Sequence, residues 1–186
     1  MPGTVIGKSL GLGYAGKVSR NPGNIINAKF VKSILNGNDV ETEPNIPFGF
    51  ATVLNDDNTY SRFGSIGVGV ADPLAVNFAG VAVAEVKQVY TYATNDPTEY
   101  IPNQPCDVLQ IGSATVFCKE GVPVSGGKVY VMTVAGTHAA IGEFVATASP
   151  AGMGATAIEL PNVRWTTGKV DANGIAEVTI LTRNNP

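Results

Sequence analysis

From residue 46 onward, short apolar runs alternate with turn residues, the pattern of a β-sandwich or barrel. Phe48 to Leu54 is the first run, closed by Asn55-Asp56-Asp57-Asn58. Such side chains bond nearby backbone groups and so favour turns. A long run from Val76 to Tyr92 follows. In it Val81, Val83, Glu85, Lys87 and Val89 share one parity, and Ala82, Ala84, Val86, Gln88 and Tyr90 share the other. Neither face is purely polar, which predicts a bend or a sandwiched strand, with Gly80 suited to a bulge. Cys106 to Cys118 is divided by Gly112-Ser113 and reads as one bent strand or as a hairpin. Lys128 to Val134 is a strand after the turn Ser125-Gly126-Gly127. Glu143 to Ala148 is a short one. Ala157 to Trp165 contains Pro161, which predicts an edge or a bend. Ile175 to Thr182 is the last strand, after the turn Asp171-Ala172-Asn173-Gly174.

Residues 1–45 carry a different pattern. They are rich in Gly, Pro and Asn and lack sustained periodicity. Ile25, Ile26, Phe30, Val31, Ile34 and Leu35 hint at helical spacing between Pro22-Gly23 and Asn36-Gly37. That predicts one short helix of about ten residues. Residues 1–20 read as an extended arm, which is stable only on its own domain or on a neighbour. The expected organisation is an arm and short helix over 1–45 and a β-sandwich domain over 46–186. The fold class is therefore mainly β: two facing antiparallel layers, as in a β-sandwich, or a closed barrel, with a Gly-rich N-terminal arm and at most one short helix.

Composition narrows the partners. The chain has 186 residues with a formal net charge of −3. Its 12 Lys and Arg are scattered, so nothing resembles the basic cluster that nucleic-acid binding needs. No apolar run approaches the roughly 18–20 residues of a membrane-spanning helix. The first ten residues lack the charged start and apolar block of a signal peptide, so the two cysteines are expected as reduced thiols. The charged share of 15% is low against a usual value of about 25%. Charge depletion marks the core of an interface. A compact β-protein with Ser, Thr and Asn outside would give the same composition.

Candidate chemistry is sparse. Gly11-Leu12-Gly13-Tyr14-Ala15-Gly16 fits the G-x-G-x-x-G pattern of a dinucleotide site. The context fails, because Pro22 and Gly23 fall where the helix behind such a loop must run, and no βαβ unit follows. The glycines are better explained by close backbone approach to another surface. His138, the only histidine, has no ligand cluster near it in sequence. Cys106 and Cys118 lack C-x-x-C spacing and read as small buried hydrophobes. Asp56-Asp57-Asn58 and Asp171-Ala172-Asn173-Gly174 lack the ligand spacing and closing Glu of a calcium loop and read as turns. No catalytic residue, cofactor or metal is assigned. A carbohydrate-active domain would have to draw on Tyr60, Tyr90, Tyr92, Tyr100 and Tyr130, with a single Trp.

Several segments together resemble the structural cement, or capsid decoration, proteins of tailed bacteriophages. They are GYAGKVSRNPGNIINAK, VLNDDNTYSRFG, FAGVAVAEVKQVYTY, the stretch from Tyr100 to Val131, and the ending NVRWTTGKVDANGIAEVTILTRNNP. The most specific are Phe78–Lys87, Pro105–Leu109 and Trp165–Asn184. The resemblance spans about Gly11 to Pro186 and is weakest over 136–158. It implies a virion protein, made in the host bacterial cytoplasm, that sits outside the capsid and bridges major capsid protein subunits. It also implies an antiparallel, jelly-roll-like β-sandwich and self-association as a dimer or trimer; no nucleic-acid or membrane partner and no enzymatic role is expected. The capsid contacts expected from position are Tyr14, Lys17, Val18, Arg20 and Ile25 on the arm, with Arg183 near the C-terminus. A tail- or fibre-associated β module would share the composition.

Overall fold

The computed structural model describes residues 11–19, 23–84 and 99–184. They form β1 (Ile25–Phe30), β2 (Ile46–Pro47), β3 (Ala51–Leu54), β4 (Tyr60–Arg62), β5 (Phe78–Ala82) and β6 (Glu99–Tyr100). After these come β7 (Pro105–Phe117), β8 (Lys128–Val134), β9 (Phe144–Val145), β10 (Thr156–Trp165) and β11 (Ile175–Ile180). One 3-10 turn covers Ala75–Asn77. The strand pairs are all antiparallel. The fold is mainly β, a curled antiparallel sheet of the sandwich or jelly-roll kind.

The main sheet runs β4-β3-β5-β7-β11-β10-β8-β9, with β1 also on β7, and β2 pairs β6 separately. The spine is β7. Its first half, Pro105 to Ile111, pairs with β1, and Val108 and Leu109 also pair with β5. Its second half, Gly112 to Phe117, pairs with β11. The run between the two cysteines is therefore one bent strand, not a hairpin. The bend falls at Gly112, whose φ is +120°. A Cβ there would lie 1.9 Å from the Asn24 side-chain oxygen, so only glycine fits.

The sheet curls back on itself. A parallel bridge joins Cys118, just past β7, to Phe144 in β9 at the far end of the path. The core inside the curl draws on both halves. Phe78 packs edge-on to Phe63 at 6.4 Å and to Phe144 at 6.5 Å between ring centroids. Leu109, Val131, Leu160, Val163, Trp165 and Val178 complete it. A smaller cluster, including Val31, Ile46, Phe48, Tyr60 and Tyr100, lies under β2 and β6.

Both predicted irregularities are present. Thr52 pairs with Gly80 but Val53 pairs with Phe78, so Ala79 is an extra residue and β5 bulges at Ala79-Gly80. At Pro161 the β8–β10 register breaks between Leu160 and Arg164, because proline donates no ladder hydrogen bond.

The helix expected after Pro22-Gly23 is a strand. Ile26–Phe30 pairs residue by residue with Leu109 to Pro105, and Ile25 pairs with Ile111 across a register shift that skips Gln110. A helix there would leave that edge of β7 without backbone partners, and buried backbone groups are almost always paired. The β-branched Ile25 and Ile26 also favour a pleated strand. Residues 85–92 of the long run beginning at Val76 lie outside the described residues.

Candidate functional site

The Gly-rich segment lies on its own domain. Gly16 N donates to Thr115 O at 2.7 Å, Ser19 N to Ser113 O at 2.8 Å, and Thr115 N to Lys17 O at 2.9 Å. Val18 bridges to Ala114. Thr115 Oγ1 donates to Tyr14 O at 2.6 Å. Gly16 has φ +82°, and a Cβ on it would sit 2.7 Å from Phe48 Cβ and 2.9 Å from Gly49 N. The glycine spacing therefore serves close backbone packing. Leu12 N donates to the Asp171 carboxylate at 2.9 Å. Hydrogen bonds from the Ile175, Leu12 and Asn173 amides hold that carboxyl below its ordinary range.

Four of the expected contact residues fall along the middle of β7. Ile25 is opposite Ile111, Val18 is opposite Ala114, and Lys17 and Tyr14 meet Thr115. Arg183 follows β11, whose Ile180 is opposite Gly112. Tyr14, Lys17, Ile25 and Arg183 are exposed. Val18 is half-buried and packs against the main core. Arg20 lies outside the described residues.

The other candidates are dispersed. His138 is exposed on a loop. Cys106 and Cys118 are both free and buried. Burial pushes the Cys118 thiol up to about 11 and the Cys106 thiol well above its ordinary value. At neutral pH neither offers the thiolate that nucleophilic chemistry needs. Tyr60 and Tyr100 are buried in the core, so they cannot form an exposed stacking platform. Tyr90 and Tyr92 lie outside the described residues. Among the described residues no three His, Cys, Asp or Glu side chains converge to hold a metal ion.

Buried charges support the loops instead. Glu143 accepts from Lys119 at 2.8 Å and from the Ala140 amide at 2.6 Å. Glu43 accepts from Ser65 Oγ at 3.0 Å. Burial lowers the Arg62 guanidinium from its ordinary value, opposed by the carboxylates of Glu43, Glu99 and Glu143.

Those loops present apolar side chains to solvent. Ile66 is 96% exposed and Val68 is 86% exposed. Their loop leans on the hairpin that carries Leu35 and Val40, also exposed, since a Cβ on Gly67 would meet Ile34 Cδ1. A second group holds Val122, Val124 and Met153. There the Glu120 carboxylate accepts from Ala151 N at 3.1 Å and ties the two loops together. Neither group shows in the strand pattern, because both lie in loops, where apolar residues carry no period. The available signal was SIGVGVA at Ser65–Ala71, apolar and uncharged yet broken by glycine.

The comparisons agree with a virion origin. The model of a family described as XM1 gp53 minor capsid protein matches residues 3–180. A chain from the solved structure "The capsid of Myoviridae Phage XM1" superposes with a TM-score of 0.61 at 17% identity. The match covers 97% of this chain and 98% of that one, and it establishes a shared fold. No curated protein matches the chain. With nearly its whole length inside the family model, the chain belongs to the XM1 gp53 minor capsid protein family and is a phage virion structural protein of the capsid.

Proposed function

We propose that the protein is a capsid cement protein. It binds the outside of the phage head and bridges neighbouring major capsid subunits. The observation that carries this reading is the near-complete exposure of Ile66 and Val68. Large apolar side chains held in water on ordered loops mark interaction surfaces. Bridging needs two contact regions, and the fold offers two loop groups, one around Ile66 and Val68 and one around Val122, Val124 and Met153. Tyr14, Lys17, Ile25 and Arg183, also exposed, add aromatic, charged and aliphatic contacts. Dimers or trimers on a repeated lattice would add avidity, so modest contacts per site suffice.

The test is a binding assay on shells stripped of this protein. Burying an Ile or Val side chain is worth about 1.5–3 kcal/mol. Replacing each by aspartate is then expected to weaken binding about tenfold or more per site. Both side chains stand clear of the core, so I66D/V68D is expected to keep wild-type unfolding. Unchanged shell occupancy by that folded variant would contradict the assignment.

A further inference from the structure

We infer that Asn36 is a site of spontaneous, structure-directed deamidation at the tip of the hairpin that carries Leu35 and Val40. Asn36 and Gly37 open an exposed turn, with Asp39 N donating to Asn36 O at 3.0 Å and Asn36 N to Val40 O at 2.9 Å. Asn36 Oδ1 accepts from Asn38 N at 2.9 Å and from Val40 N at 3.1 Å. Gly37 N donates to no group among the described residues. A Cβ on Gly37 would meet nothing within 4 Å.

The turn supplies an attacking amide with no hydrogen bond to break and two donors on the oxygen that takes up charge. Gly37 N loses its proton to solvent base and attacks Asn36 Cγ, forming a new carbon–nitrogen bond. Negative charge builds on Oδ1, where the Asn38 and Val40 amides already point, as donors do in an oxyanion hole. The Cγ–Nδ2 bond then breaks, and Nδ2 takes a proton and leaves as ammonia. Water opens the resulting succinimide at either carbonyl, giving aspartate or isoaspartate at position 36. No redox partner is required.

A second Asn-Gly pair provides the internal control. Asn173-Gly174 also sits in a turn, but Gly174 N donates to Asp171 O at 3.1 Å. That nitrogen must give up a hydrogen bond before it can attack. At Asn36 the product adds a negative charge between two exposed apolar side chains. The isoaspartate form also inserts a backbone methylene next to the Leu35–Glu41 bridge.

The test is peptide mapping by mass spectrometry of the folded full chain, aged at mildly alkaline pH. The amide-to-acid conversion is expected at Asn36 at least about threefold faster than at Asn173, one hydrogen bond's worth of difference. G37A is expected to suppress it while leaving the unfolding midpoint unchanged. Equal conversion at the two sites, faster conversion at Asn173, an intact Asn36, or unchanged conversion in G37A would overturn the assignment.

Discussion

Phe144→Ala is expected to destabilise the protein by about 3–5 kcal/mol, the range for truncating a buried aromatic ring. Phe144 is fully buried. Its backbone closes the curl, pairing with Val131 on one side and bridging to Cys118 on the other. Its ring sits edge-on to Phe78. The neighbouring Glu143 holds Lys119 and the Ala140 amide, so the backbone there cannot collapse freely into the cavity. For a chain of this length each kcal/mol moves Tm by about 2–4 °C, and the fall should be on the order of 10 °C. Urea unfolding followed by fluorescence of the buried Trp165 measures it. A loss below about 1 kcal/mol, far under the usual range, would mean that the closure is not part of the cooperative core.

Gly80→Ala is the second large effect. A Cβ at Gly80 would lie 2.1 Å from the Leu109 carbonyl oxygen and 2.7 Å from Val108 Cγ1. An ordinary carbon–oxygen contact needs about 3.3 Å or more. Leu109 cannot retreat, because its backbone pairs with β5 through Val81 and with β1 through Ile26. The substitution should cost at least the roughly 3 kcal/mol of severe overpacking, seen as insoluble protein or a sharply lowered urea midpoint. G37A is the matched control, with open space around the new methyl group. Equal stability of G80A and G37A would show that β5 and β7 do not meet as described.

The clearest sequence signals came from strands whose partners demand nothing unusual. Lys128–Val134, rich in Val and Tyr and opened by the turn Ser125-Gly126-Gly127, forms β8 over that same span. The last strand and both turn clusters follow for the same reason. Residues 25–35 read as helical because Ile25, Ile26, Phe30, Val31, Ile34 and Leu35 satisfy a loose helical spacing. Pairing with β7, a contact made far along the chain, decided the outcome. Gly112 is equally open, as bend or hairpin, until pairing of β7 with β1 and β11 decides it. The close packing of the G-x-G-x-x-G segment is not legible locally, because the partner of Gly16, Phe48, lies in a different part of the sequence. The site was less legible than the fold. Tyr14, Lys17, Ile25 and Arg183 were chosen by position and are exposed. Ile66 and Val68 are not legible, since exposure of an apolar residue is a property of the tertiary fold and leaves no period in the sequence.

The most direct measurement is the copy number of this chain relative to the major capsid protein in gradient-purified particles. A cement protein predicts a ratio near one, or a simple fraction that reflects a symmetry site of the shell. Absence from the particles, or only a few copies per virion, would contradict the cement assignment and move the protein to the tail or to a step before assembly.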